Sequence, residues 1–253
     1  MILKGRGISA GKAKGEVVKV EDRVSFLGDA DPETGKVFGE VDVNDSIFVF
    51  PGGIGSTVGS YVIYQLEKNG TAPKAMINEH TETIVATGAI ISDIPLVDKI
   101  QIDLLEDGDE VIVDGDSGEV ELIGIDMIDV VTSFLIKDGK VLVVRRGEDV
   151  GSFRGKWSAI SGYLEDEDPK EQALQEIKEE TGVDVEFLSR GEPVMARGEG
   201  KIWKVHPFLF ETEGEPTLNW ENLEYEWMEP NKIQDLDTVP KLWEAYDSAR
   251  REG

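Results

Sequence analysis

Through its first 122 residues the chain alternates short runs of β-branched and aromatic residues with glycine and aspartate turns. The runs GEVVKV (15–20), SIFVFP (46–51), ETIVATG (82–88), EVIVDG (110–115) and EVELI (119–123) each predict a strand. One helix interrupts them, expected from Ser56 to Lys68, with Val58, Val62 and Leu66 at four-residue spacing on one face. Asp116–Gly118 lies between the last two runs as a tight turn and predicts a hairpin. The pattern changes at residues 124–127. Beyond it, DVVTSFLI and KVLVVRR flank Asp138-Gly139, a dipeptide suited to the positive φ angles of a two-residue hairpin. Pro169–Thr181 is rich in helix formers, with proline in the first turn and Gly182 just past the end, and predicts the clearest helix of the chain. These patterns divide the 253 residues into two domains, 1–123 and 128–253, each long enough to bury its own core.

Charge narrows the functions open to such a chain. Its 52 acidic and 26 basic residues give a formal charge of −26, which repels phosphate backbones and anionic membrane surfaces, so neither nucleic acid nor membrane is an expected partner. Such an excess serves solubility, or suits a salt-rich cytoplasm in which screening makes dense charge tolerable, and in that case stability rises with added KCl. The amino-terminal MILKGRGISAGKAKG has no apolar core of a signal peptide, and a cytoplasmic location is expected. With no cysteine, the chain has no thiol nucleophile and no thiolate ligands for an iron–sulfur cluster.

Glu176, Glu179 and Glu180 stand at i, i+3 and i+4 of the second predicted helix, which puts three carboxylates on one face. Ala173, Leu174 and Ile177 supply its apolar side, so the glutamates are expected to point away from the core, toward a cleft or solvent. Spacing alone describes a solvated acidic face as well as a ligand set. The wider segment SGYLEDEDPKEQALQEIKEETGV (161–183) resembles the Nudix box, GX5EX7REUXEEXGU with U aliphatic, through Glu167, Glu176, Ile177, Glu179, Glu180, Gly182 and Val183. It departs from that pattern twice. Four residues rather than five separate Gly162 from Glu167, so either Ser161 takes the glycine position or the loop is one residue shorter, and Gln175 replaces the box arginine. The resemblance implies a Nudix α/β/α sandwich with a mixed sheet that hydrolyses a nucleoside diphosphate or other diphosphate with Mg2+ or Mn2+. Glu176, Glu179 and Glu180 would be the ligands and Glu179 a catalytic group, oxygen donors that suit a hard divalent cation. Glu221 falls where many members of that family carry a further metal-binding or basic glutamate, and reads equally as a surface residue. Trp157, Trp203, Tyr225 and Trp227 could line a substrate pocket, though core packing is the commoner use of aromatic residues near strands.

In the first domain, PGGIGSTVGSYVIYQL (51–66) places a glycine-rich turn between a strand and a helix, where free N–H groups and the helix dipole favour an anion. Ser56 falls at the expected N-cap, which a capping role alone would explain. The segments GIGSTVGSY, VSFLGDADPETG, NGTAPKAMIN and ETIVATGAIISDIPLV resemble the small subunit of the archaeal aconitase X group, across nearly all of residues 1–123. Members of that group resemble phosphomevalonate dehydratase, which removes water from (R)-5-phosphomevalonate. The resemblance implies a swivelling β/β/α domain in a two-domain α/β (α+β) chain. It also implies a large partner subunit carrying a [4Fe-4S] cluster, phosphorylated small-molecule substrates, and Ser56 as the base in a turn formed by Gly53 and Gly55. A serine hydroxyl is a weak base, and a helix dipole contributes under about 2 kcal/mol to its ionisation, so positive groups on the partner must supply the rest. Ser60 reads as a substrate-phosphate contact or as helix packing, and Lys74 as an anion partner or an exposed lysine; His80 and His206 sit in no motif. The whole chain is then expected to be bifunctional, the alternatives being a hydrolase with a non-catalytic docking module or a non-catalytic binder of phosphorylated metabolites.

Overall fold

The computed structural model describes residues 1–165 and 168–251. Two compact units divide it, Met1–Ile125 and Asp126–Gly253.

In chain order the first unit contains β1 (Ile2–Lys4), β2 (Arg6–Ser9), β3 (Lys12–Lys19) and a one-turn helix α1 (Phe26–Asp29). A small antiparallel flap of β4 (Ala30–Asp31), β5 (Lys36–Val37) and β6 (Val41–Asp42) follows. The chain continues through β7 (Ile47–Phe50), α2 (Gly59–Asn69), β8 (Ala75–Asn78), α3 (Thr83–Ile91), β9 (Leu96–Asp98), β10 (Glu110–Asp114) and β11 (Glu119–Leu122). Eight of these strands form one sheet in the order β1-β11-β10-β3-β7-β8-β9-β2, in which β3, β7, β8 and β9 run parallel. Every residue of β7 and β8 is buried, which is why the sequence there shows a continuous apolar run rather than alternation: a parallel strand is covered on both faces. Val62, Ile63 and Leu66 of α2 and Val85 and Ala89 of α3 close one core with Phe48, Phe50, Met76 and Leu96. Asp116–Gly118 turns the β10–β11 hairpin.

Two expectations are corrected here. The run ETIVATG, expected as a strand, belongs to α3, where Val85, Gly88 and Ala89 are buried at i, i+3 and i+4 and the Glu82 carboxylate accepts from Val85 N at 3.0 Å as the helix cap. Its β-branched residues suggest a strand, but the buried positions follow the helical period. The other helix begins at Gly59 rather than Ser56, because Thr57 and Val58 form an intervening turn closed by Gly59 N donating to Ser56 O at 2.9 Å.

The second unit contains β12 (Met127–Lys137), β13 (Lys140–Arg146), β14 (Trp157–Ser158), β15 (Ile160–Tyr163), α4 (Pro169–Thr181), β16 (Glu186–Arg190), β17 (Val194–Gly198), β18 (Lys201–Glu211), β19 (Asn222–Met228) and α5 (Leu242–Arg251). Its spine is the parallel pair β12–β18, in register from Met127↔Ile202 to Ile136↔Glu211. Each long strand changes neighbours along its length: β12 pairs β15 and then β13, and β18 pairs β17 and then β16. The sheet is therefore mixed and forks toward β15 and β17. Ala173 and Ile177 of α4 pack on one face against Val131, Leu135, Phe208 and Phe210. On the other face Ala245, Tyr246 and Ala249 of α5 pack against Phe134 and Leu209, giving three layers, α/β/α. Asp138 and Gly139 take φ of 51° and 75° in the β12–β13 turn, the positive pair that a two-residue hairpin requires. Asp168 caps α4 by accepting from Lys170 N at 2.9 Å.

Candidate active sites

Because β7, β8 and β9 are parallel, their carboxyl ends share one edge of the sheet, the edge where open α/β sheets form ligand crevices. The bend after β7 reaches this edge and is pinned by a single side chain. Glu82 accepts from Gly53 N at 2.8 Å with one oxygen and from Val85 N at 3.0 Å with the other, tying the bend to the start of α3. A Cβ on Gly53 would lie 2.3 Å from Glu82 Oε1, so the approach requires glycine. Ser56 is exposed beyond this bend, and its Oγ accepts from Val58 N at 3.3 Å. It is not the helix cap expected of it: Val58 occupies that place without a side-chain cap bond, and the hydroxyl faces outward. Replacing Glu82 by alanine should cost about 1 kcal/mol of stability, the usual loss of a capping acceptor, seen as a lower Tm in thermal unfolding.

The remaining residues proposed for this site separate. Ser60 is buried in α2 and donates to Thr57 O at 2.8 Å, a packing and turn-closing role. Lys74 immediately precedes β8, at the opposite end of the parallel strands, and pairs with Asp45 at 3.0 Å. A four-residue strand spans roughly 13 Å, so Lys74 does not share the Ser56 edge. The groups that do share it have no sequence motif. Arg6 binds Asp98 through two hydrogen bonds of 2.9 and 2.7 Å; Thr81 N donates to Asp98 Oδ2 at 3.1 Å and Thr81 Oγ1 to Asn78 Oδ1 at 3.0 Å. Burial raises the Asp98 carboxyl, but Arg6 and the Thr81 N–H hold it below the usual carboxylate range. Arg6 and Asp98 are 92 residues apart, and only the β2–β9 pairing brings them together.

In the second unit a cleft of about 400 Å³ opens at the forked half of the sheet. Glu176, Glu179 and Glu221 line it, with Tyr163, Trp203 and the exposed Trp220. Glu180 does not point away from the core as expected. It is 3% exposed, three residues on from the buried Ile177 and therefore on the same helical face, and accepts from Asn222 Nδ2 at 2.6 Å and Ser161 N at 3.3 Å. Leu174, expected on the apolar side, is exposed. Gln172 donates to Glu176 at 2.8 Å, and Gln175, in the arginine position, donates to Glu179 at 2.9 Å. Each helix carboxylate thus holds an amide. Burial, outweighing the Gln172 hydrogen bond, raises the Glu176 carboxyl, and Glu179 and Glu221 add repulsion. Burial also pushes Glu180 up to about 8 against the Asn222 bond, with Glu221 and Glu176 contributing further.

Among the described residues, no group of three or more acidic or imidazole side chains is already arranged around a metal position. The donor chemistry nonetheless fits a hard divalent cation: the acids are oxygen donors, and their neighbours help raise the pKa of Glu176 and Glu180, a repulsion that a cation would relieve. Glu167 lies outside the described residues. Gly162 packs closely on the helix, since a Cβ there would fall 2.0 Å from Glu176 Oε1. Ser161 instead uses its hydroxyl on Thr132 at 3.0 Å and its N–H on Glu180. Gly162→Ala should therefore displace the Glu176 carboxylate and lower any cleft activity by about 10²-fold, the cost of an ångström-scale misplacement, with a small change in Tm. Of the four aromatic residues singled out in the sequence, Trp203 lines the cleft. Trp157 packs in the α5-side core and Trp227 in the α4-side core, while Tyr225 is exposed.

The aconitase X swivel domain family matches residues 2–122, and the NUDIX domain family residues 127–249. A phosphomevalonate dehydratase small subunit from Thermococcus kodakarensis is 57% identical over 129 residues, covering 49% of this chain and 97% of that protein. The chain is an aconitase X swivel domain fused to a NUDIX domain. Another protein of the same name, from Methanosarcina acetivorans, is 54% identical over 130 residues, 48% of this chain and 90% of that one. The solved MutT protein from Methanosarcina mazei Go1 is 26% identical, covers 51% of this chain and 96% of its own, and superposes with a TM-score of 0.44. Ser56 and its bend thus belong to the swivel domain, and the acidic cleft to the NUDIX domain. Among the described residues no helix is long and apolar enough to cross a membrane.

Proposed function

We propose that the chain is bifunctional: the swivel domain is the small subunit of a phosphomevalonate dehydratase, and the NUDIX domain hydrolyses a diphosphate with Mg2+ or Mn2+. The observation that carries the first half is the exposed Ser56 hydroxyl on the carboxyl edge of β7–β9, beyond a bend that Glu82 pins at Gly53, and not used as a cap. Ser56 would take the proton beside the carboxylate of (R)-5-phosphomevalonate as water leaves, with Gly53 and Gly55 shaping the bend. A large subunit would supply the positive field that lowers the serine pKa, and its [4Fe-4S] cluster, since this chain has no cysteine to hold one.

The acidic rim of the cleft carries the second half. Glu176, Glu179 and Glu180 would hold the cation and Glu221 would orient or deprotonate the attacking water, while Gln175 keeps Glu179 turned along its helix by a neutral bond. A bound divalent cation would neutralise phosphate charge and acidify water. Phosphate release from a diphosphate panel with magnesium tests this. Glu179→Gln should lower the rate at least about 10²-fold, as loss of one well-placed electrostatic group does. An unchanged rate would remove the mechanism. A pull-down that recovers no iron–sulfur protein on the intact chain would remove the two-subunit reading.

A further inference from the structure

The NUDIX cleft has an acidic rim and a wall of different chemistry. Away from the glutamates, the wall is built from Val130, Phe153, Tyr163, Trp203, Val205 and Val239. Several of its polar side chains are engaged with one another or with backbone. Thr132 and Ser161 share a hydrogen bond of 3.0 Å, Ser161 Oγ donates to Ala159 O at 3.0 Å, and the Trp203 indole N–H donates to Gly198 O at 3.0 Å. Among the described lining residues there is no Asn, Gln, Asp or His. A purine or pyrimidine edge on this wall would lose its water and find no side-chain amide or imidazole to pair with, and buried polar groups left unpaired are what make a site reject a ligand strongly. The rings also form one wall. Phe153 and Trp203 lie 5.1 Å apart and Tyr163 and Trp203 6.2 Å apart, centroid to centroid, so they pack on each other as one continuous apolar surface.

The lining carries a single cationic side chain among the described residues, Arg146, whose Nε donates to Ser152 O at 2.9 Å. That bond uses one of the five guanidinium donors and leaves others for phosphate oxygens. A cleft of about 400 Å³ lies at the small end of ligand pockets.

We propose that this cleft takes the diphosphate ester of a short apolar alcohol, its tail on the Phe153–Trp203–Tyr163 surface and its phosphates between Arg146 and the acidic rim. This deepens the hydrolase reading and rests on it. In the reaction a P–O bond of the P–O–P bridge breaks. Water gives its oxygen to one phosphorus, the bridging oxygen stays on the other, and the alkyl monophosphate, orthophosphate and one proton are released. The class of reaction that supplies the substrate is one that adds phosphate to an alkyl monophosphate or assembles alkyl diphosphates.

The intact chain can be tested with two monophosphates, 3-methylbutyl phosphate and adenosine 5′-phosphate, titrated calorimetrically in magnesium chloride. The apolar ester should bind at least about tenfold more tightly, the range set by a few buried methylenes. Tyr163→Ala, at an exposed position that should not affect folding, should weaken 3-methylbutyl phosphate about threefold to tenfold. Tighter binding of the nucleotide, or an unchanged affinity in Tyr163→Ala, would overturn the proposal. Turnover separates it from the hydrolase reading. If adenosine diphosphate is cleaved faster than 3-methylbutyl diphosphate and Glu179→Gln silences both, hydrolysis stands and the apolar tail falls. If neither diphosphate is cleaved, hydrolysis falls, and the monophosphate affinities still decide the tail.

Discussion

Glu180→Gln should make the metal-free protein more stable at pH 8 while removing its diphosphate hydrolysis and its stabilisation by magnesium. The two effects have one cause. Burial, assisted by Glu221 and Glu176, pushes the Glu180 carboxyl up to about 8 from an ordinary 4.5. The folded chain therefore holds this proton more tightly than the unfolded chain does. Its contribution to stability is complete below the unfolded pKa and is lost as pH rises from about 4.5 to about 8, a loss on the order of 5 kcal/mol. Thermal unfolding of the metal-free wild type should show Tm falling across that window. Glutamine carries no ionisable proton and should flatten the slope. Magnesium should restore wild-type Tm at pH 8 and do little at pH 5, because binding to a carboxylate releases the proton. Hydrolysis in the variant should fall at least about 10²-fold, since the site then lacks its most buried anion. A Tm independent of pH between 5 and 8 in the metal-free wild type would refute the account.

Ser56→Ala should leave folding intact and suppress dehydration. The hydroxyl is exposed and its contact with Val58 N is long at 3.3 Å, so the change in stability should stay within about 0.5 kcal/mol. In a complex reconstituted with the proposed large subunit, loss of the proposed general base should lower kcat by about 10²- to 10⁴-fold, with a smaller change in KM. Equal dehydration by wild type and variant would remove the serine from the chemistry.

The comparison of sequence with structure divides along the range of the interactions. Elements defined by local signals are where the pattern puts them: the Asp138-Gly139 hairpin, the Asp168-capped α4, and the buried parallel strand β7. The glutamate spacing marks the acidic helix, but spacing does not say which acid turns inward. That depends on Asn222, 42 residues from Glu180, and on Ser161 across a strand. Likewise Gly53–Ser56 is visible as a glycine bend, whereas Glu82, which holds it, lies in a segment whose β-branched residues suggest a strand. Lys74 misleads for the converse reason. It is near β8 in sequence, but a parallel strand has two ends, and only the sheet shows which end faces Ser56.

The paired hydrogen bonds of Glu82 mean that the bend leading to Ser56 is tied to the start of α3. A glutamine in place of Glu82 would turn its NH2 group toward one of the two N–H donors, so the two hydrogen bonds could not both keep their present oxygens. A tilt of α3 would shift the bend at Gly53, which makes the seating of that helix against Phe48 and Met76 part of the placement of the segment leading to Ser56.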